Sequence, residues 1–266
     1  MPRATIGPTM AIAQVTGPRG PRAVQHAVIL AAGEGRRLGP LTRKTPKVML
    51  PIDGKPLLEH LVTWCRRHGV RDIYVNLYHA ANQIVNHFRD GEDFGVTMHY
   101  LYLSALRPPL MDIHYFSRMI PSAFYVLYGD VATVVDLSLV AADHLQHGAD
   151  ATIVVRETDH PHDSDLLVIG QGRRIQSIIH KGEWDGRTAA MGNVGCYVLE
   201  PTLLETTPYQ GQGDFMDGLF EVVRDNARLL AHQSKAWMLD IGTPERYARA
   251  QREFPAAVST VPTDPS

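Results

Sequence analysis

Apolar and polar positions along this chain alternate between two rhythms. His26 to Ala31 (HAVILA) is an almost unbroken apolar run that ends at Ala32-Gly33, which reads as a buried strand feeding a loop. Leu57, Leu58, Leu61, Val62 and Cys65 then recur at helical spacing up to His68-Gly69, a natural helix stop. The same exchange continues with a strand over Asp72 to Leu77, a helix over Ala80 to Phe88, a strand over Val96 to Leu103, a helix over Asp112 to Ile120 and a strand over Phe124 to Tyr128. After a helix over Leu139 to His147, strands dominate: Ala151 to Arg156, Leu166 to Ile169, Ile175 to His180 and Val194 to Leu199. A helix near Phe215 to Asn226, a strand near Leu229 to His232 and a helix from Pro244 to Phe254 follow. This βαβαβ rhythm predicts an α/β fold, a mixed and mainly parallel sheet flanked by helices.

Both ends differ from this body. Residues 1–25 hold Arg3, Arg19 and Arg22, no acidic residue and no apolar run long enough for a secretory signal, so they read as a disordered leader. Residues 255–266, rich in proline and small polar residues, read as a flexible tail. One domain, 26–254, remains, with no internal repeat to suggest a solenoid.

Composition narrows the function classes. With 26 Lys and Arg against 28 Asp and Glu in 266 residues, the net charge is −2. This argues against a general nucleic-acid partner, which needs a basic face. No apolar run approaches a membrane span. The two cysteines, Cys65 and Cys196, form no metal-type spacing and fit a reducing, cytoplasmic setting.

In such sheets ligands bind beyond the carboxyl ends of the strands, which directs attention to three segments. The first runs from Leu30 through Gly33, Gly35, Arg36 and Arg37 to Thr42, then through Lys44, Pro46 and Lys47 to Ile52. Its glycines let the main chain approach a ligand, and Arg36, Arg37, Lys44 and Lys47 suit a polyphosphate. It lacks the Gly-Lys-Ser/Thr of a Walker A loop, and Leu38 stands where a dinucleotide fingerprint needs its third glycine. The second is the apolar strand Phe124 to Tyr128 that delivers Gly129-Asp130, and the third is Trp237 to Glu245, with Asp240 before Ile241-Gly242-Thr243-Pro244. Asp at a strand end can supply a hard oxygen ligand, while Thr243-Pro244 reads as an N-cap with proline at the first helical position.

The first segment resembles the signature of the nucleoside-triphosphate transferase family that makes sugar nucleotides, roughly L-A-G-G-x-G-T-R-L-x-P-L-T followed by P-K-x-L-x-P-V. The resemblance implies a Rossmann-like fold of the nucleotide-diphospho-sugar transferase type. It implies that Arg37 and Lys47 grip the triphosphate and that Leu30, Ala31, Ala32, Gly33, Gly35, Arg36 and Gly129 line the nucleotide. Asp130 and Asp240 would be the ligands of Mg2+. Ile178 to Gly182 and Gly192 to Pro201 are similar to the elements that hold the acceptor sugar phosphate, which assigns substrate contact to Lys181 and Asn193. The partners implied are a nucleoside triphosphate and a sugar 1-phosphate, with a homo-oligomer left open. The reaction implied is attack of the sugar phosphate on the α-phosphorus with loss of pyrophosphate, and the compact length leans toward mannose- or heptose-type acceptors with GTP.

The chain departs from the family pattern at several places. Arg36 replaces Thr, Ala32 replaces a glycine, and His180 and Gly182 replace Glu and Pro. Where many relatives carry P-L-G-T-A-G-A-L, this chain reads Pro109 to Phe116 with Met111 and His114 at the glycine positions, so His114 is either a new substrate contact or an ordinary half-buried histidine. Tyr100 to Ser104 lacks the Glu or Gln that often reads the base. Two alternatives therefore stay open: a CTP-dependent enzyme acting on a phosphorylated alcohol or phosphonate, and a catalytically silent NDP-sugar-binding regulatory subunit. Asp159 to Asp163 reads as a solvated loop, and Trp64 and Trp184 as packing residues.

Overall fold

The computed structural model describes residues 24–158, 161–205, 215–222 and 227–261. The chain begins with β1 (His26–Leu30) and a long loop, then a small hairpin of β2 (Pro51–Ile52) and β3 (Lys55–Pro56) turned by Asp53-Gly54, both at positive φ. Next come α1 (Leu57–Arg67), β4 (Asp72–Leu77), α2 (Ala81–Phe88), β5 (Thr97–Tyr102), α3 (Pro109–Ser117), β6 (Phe124–Tyr128), β7 (Val131–Thr133) and α4 (Leu137–His147). The second half runs β8 (Ala151–Arg156), β9 (Leu166–Ile169), β10 (Ile175–Ile179), β11 (Ala190–Leu199), α5 (Thr202–Glu205), α6 (Phe215–Val222), β12 (Leu229–Gln233), β13 (Met238–Asp240) and α7 (Pro244–Ser259).

Strands β6, β1, β4 and β5 lie side by side and parallel, as the βαβ rhythm requires. β11 joins β6 antiparallel, β8 joins β11 antiparallel, and β12 runs parallel to β8. β9 also pairs with β11, and β10 with β9. The sheet is thus mixed and mainly parallel, as the pattern predicts. Alternate residues of the central strands point to opposite cores: Ala27, Ile29, Tyr125 and Leu127 meet α1, α4 and α7, while Val28, Phe124 and Val126 meet α3, α5 and α6. Burial on both faces explains why these strands read as continuous apolar runs.

Several boundaries differ from the sequence reading; β11 starts at Ala190 rather than Val194, and α4 at Leu137 rather than Leu139. α3 starts at Pro109 rather than Asp112, because proline suits the first helical position. α7 continues through Pro255 to Ser259, so the first residues of the expected tail are helical. Ala250 and Phe254 are buried, and Val258 and Val261 pack on the same core. That apolar stripe outweighs the single hydrogen bond the proline ring removes. The expected leader, except Val24 and Gln25, and the last five residues of the tail lie outside the described residues, as do Asp159 and His160 and residues 223–226 at the end of the helix expected from Phe215 to Asn226. No helix among the described residues is long and apolar enough to cross a membrane.

His144 on α4 carries a consequence for stability. Its ring is 1% exposed, and Nδ1 lies 2.9 Å from Thr152 Oγ1. Burial pushes its pKa down from 6.5 to about 4. Between those values the unfolded chain binds a proton that the folded chain refuses, so stability falls as pH drops through this window. The expected loss is about 2 kcal/mol between about pH 7.5 and 5. Urea unfolding across this range in His144→Leu should show that part of the slope gone.

Candidate active site

The loop after β1 is folded back on itself at the carboxyl end of the sheet. Ala31 and Ala32 donate their amides to Asn76 Oδ1 at 2.6 and 3.2 Å. Gly35 sits at φ 65°, where a Cβ would lie 2.9 Å from Thr42 Cγ2 and 3.1 Å from Lys47 Cβ. Glycine is required there by both conformation and space. Thr42 Oγ1 donates to Gly35 O, Leu38 is buried beneath the turn, and the loop's outer side is tied to the start of α2 by His79 on Thr42 O and Gln83 on Lys44 O.

This folding carries Lys47 inward. Its side chain is 7% exposed, and Nζ donates to Asp130 Oδ2 at 2.5 Å and lies 3.8 Å from Asp240 Oδ1. Asp130 follows β6 directly. Asp240 ends β13, which pairs antiparallel with β7 so that Asp240 faces Val131. Ile241 N donates to Asp130 O at 2.9 Å, locking the two segments together. The two acids, distant in sequence, therefore share one end of the sheet with an ammonium between them. Asp240 also accepts from Gly242 N at 2.6 Å and from Arg246 at the first turn of α7. A Cβ on Gly242 would lie 2.5 Å from Asp240 Oδ1, 2.8 Å from Arg37 Nη2 and 3.3 Å from Lys47 Nζ, so Arg37 converges on the same point.

Three cations, Lys47, Arg37 and Arg246, thus surround two carboxylates, leaving the site net positive and suited to a polyphosphate. Among the described residues no group of three or more His, Cys, Asp or Glu could hold a metal by itself. Two carboxylates match the protein's usual share for a hard cation that completes its shell with phosphate oxygens and water.

The other expected residues lie as follows. Gly129 packs against Leu30 O, and its amide donates there at 2.9 Å. Arg36 points to solvent with its side chain 84% exposed and pairs with Glu34. Asn193 sits at an irregularity of β11 where the register with β8 shifts; its amide bonds Tyr197 OH, and its Oδ1 accepts from Gly195 N. Gly195 is pressed against the Tyr128 ring, two residues before Asp130. Lys181, after β10, is 59% exposed and pairs with Asp163 at 3.2 Å. His114 is half-buried on α3. The α3 side chain linked to the loop is instead Asp112, through Asn76.

Asn76, Arg107, Asp112, Gly242 and Arg246 are the participants that the sequence reading passed over. The signal for Asn76 was present, a lone amide in the apolar strand DIYVNL.

A mixed sheet that gathers paired carboxylates and a cationic cradle at its carboxyl end defines an α/β protein of the nucleotide-handling class. The chain belongs to the nucleotidyl transferase family, whose family model matches residues 26–256. It is 30% identical over 242 residues to the UTP–glucose-1-phosphate uridylyltransferase of Synechocystis, a match that covers 85% of this chain and 62% of that protein. The chain thus spans about three fifths of that curated relative. Among solved structures, a glucose-1-phosphate thymidylyltransferase assigned in Bacillus anthracis superposes with a TM-score of 0.78 at 20% identity, covering 91% of this chain and 98% of that one, and shows the shared fold. HddC from Yersinia pseudotuberculosis superposes at 0.73 with 26% identity, covering 87% and 100%. HddC has also been solved with GMP-PN.

Proposed function

We propose that this domain transfers a nucleotidyl group from a nucleoside triphosphate to a sugar 1-phosphate, releasing pyrophosphate. The observation that carries this reading is the convergence of Lys47, Arg37, Asp130 and Asp240 on one point at the end of the sheet. An oxygen of the acceptor phosphate forms the new bond to the α-phosphorus. The bond to the bridging oxygen breaks, and its electron pair leaves with pyrophosphate. The acceptor is already ionised near neutral pH, so no protein nucleophile or base is needed.

In this reading Lys47 and Arg37 bind the triphosphate and stabilise the charge that grows on the leaving pyrophosphate. Asp130 and Asp240 would hold Mg2+, which when bound supplies Lewis-acid polarisation of the phosphoryl oxygens. Gly242 keeps the space between these groups open, and Arg246 fixes the rotamer of Asp240. Asn193 and Lys181 are the proposed acceptor contacts, of which Asn193 is the better anchored. The buried, unpaired Cys65 and Cys196 support the cytoplasmic setting that belongs to the same proposal.

The test is pyrophosphate release with Mg2+ and ATP, GTP, CTP, UTP or dTTP, each against glucose, mannose and heptose 1-phosphates and against phosphorylated alcohols and phosphonates. The expected result is release matched by NDP-sugar formation, with GTP and UTP tested first because HddC was solved with GMP-PN and the Synechocystis relative is named for UTP. Release confined to CTP and non-sugar acceptors would redirect the assignment to a cytidylyltransferase, a reading favoured by the helical α3 that stands in place of a glycine loop. Nucleotide binding without turnover of any pair would make the protein a silent sensor.

A further inference from the structure

We propose that Asp112, acting through Asn76, is a positioning residue that sets the start of the triphosphate loop; this rests on the nucleotidyl-transfer reading above. β1 ends at Leu30, and the next two residues, Ala31 and Ala32, are buried at 4% and 7% exposure. Their amides have left the parallel ladder and need an acceptor. Asn76, 3% exposed and paired on β4 with Leu30 of β1, supplies one by turning its Oδ1 toward both.

An asparagine side chain can present either its oxygen or its NH2, and only the oxygen serves here. The choice is made from the other side. Asn76 Nδ2 donates to Asp112 Oδ2 at 2.7 Å, and an ionised carboxylate only accepts, so an inverted amide would set oxygen against oxygen at Asp112 and nitrogen against the two loop amides. Asp112 is itself 1% exposed, and Arg107, 35% exposed, donates Nε to its Oδ1 at 2.5 Å. Arg107 thereby balances a charge that burial would otherwise penalise.

A directional relay therefore runs from a surface guanidinium, through a buried carboxylate and a buried amide, to the first two amides of the loop that carries Gly35, Arg37 and Lys47. Asp112 touches no reacting atom. Its effect is to fix the loop's point of departure, so removing its acceptor-only character should weaken the grip on triphosphate.

The relay can be tested by exchanging its two members. D112N lets residue 112 present an NH2 to Asn76 and frees that amide to invert, whereas N76D sets two carboxylates face to face. The swap N76D/D112N restores the pattern, because the carboxylate then at position 76 accepts from both loop amides, while the amide then at position 112 donates to that carboxylate and accepts from Arg107. Binding of the Mg2+ complexes of ATP, GTP, CTP, UTP and dTTP to the full chain would be measured by calorimetry, with KM and kcat, where circular dichroism shows each variant folded.

D112N and N76D are each expected to weaken binding of the preferred triphosphate and raise its KM about tenfold, with kcat and the acceptor KM within about threefold of the parent. The swap should return to within about threefold of the parent. If N76D does not fold, the comparison of D112N with the swap carries the test, and the swap must bind more tightly. Triphosphate binding by D112N within about twofold of the parent, with only thermal stability lowered, would overturn the proposal, as would a swap no better than D112N. A parent that binds none of the five triphosphates would overturn the functional reading and this proposal with it, whereas a parent that binds and variants that bind equally overturn this proposal alone.

Discussion

Lys47→Ala is expected to slow pyrophosphate release at least about a hundredfold, because the lost contact contributes about 3 kcal/mol to a transition state that gathers charge on phosphate oxygens. The position makes the loss severe. Lys47 is almost fully enclosed, and its ammonium is the cation directly between Asp130 and Asp240. Alanine leaves those two carboxylates facing each other without it. Lys47→Arg keeps the charge, but a planar fork does not fit a position where a single ammonium meets one oxygen at 2.5 Å. It should recover less than a tenth of the parent rate, a figure set by the same roughly 3 kcal/mol. Asp130→Asn and Asp240→Asn should each fall as far as Lys47→Ala. Steady-state kinetics with circular dichroism as the folding control decide the matter, and near-parental rates in all three would remove these residues from the mechanism.

Gly129→Ala is expected to lower both stability and activity. A Cβ at Gly129 would stand 2.6 Å from Leu30 O and 3.0 Å from Val48 Cγ1. The carbonyl belongs to β1 and already accepts the Gly129 amide, so it has no rotamer through which to move away. The β1–β6 junction must spread, at a cost of about 2 kcal/mol, which for a domain of this size is roughly 4 to 8 °C in melting temperature. Because Asp130 is the next residue, the same displacement carries its carboxylate away from Lys47. Gly33→Ala provides the contrast: it lies in the same loop system, but an added Cβ meets nothing within 4 Å. Its stability should stay within about 0.5 kcal/mol of the parent. Thermal scans of the two variants side by side check both expectations, and equal melting temperatures would contradict the packing argument.

The elements that the sequence disclosed most fully are those whose burial imposes a clean period. β4, β6, β8 and β9 start and stop where their apolar runs do, because each lies between neighbouring strands in the sheet. The loop after β1 was legible as a candidate site as well, since its glycines and cations sit close together in one continuous segment. What stayed hidden were contacts made only by the fold. β7 and β13 are three residues each, too short to carry a period, yet their ladder is what delivers Asp240 to Asp130. Asn76 and Asp112 lie on separate elements and look unrelated until β4 and α3 bring them within 2.7 Å. His114 and Met111 drew attention because they replace glycines, whereas the residue of that helix that matters to the loop is the buried acid between them. The continuation of α7 past Pro255 was hidden for a different reason: local propensity opposes it, and only tertiary burial of Phe254, with Val258 and Val261 packed beside it, sustains it.

The central claim is that Asp130 and Asp240 jointly hold a divalent cation on a triphosphate gripped by Lys47 and Arg37. Electron paramagnetic resonance of Mn2+, titrated into the protein with a non-hydrolysable triphosphate, tests it most directly. The account predicts one tightly held ion per chain in the parent, dependent on the nucleotide and lost in both Asp130→Asn and Asp240→Asn. An ion bound equally well when both acids are replaced together would contradict it.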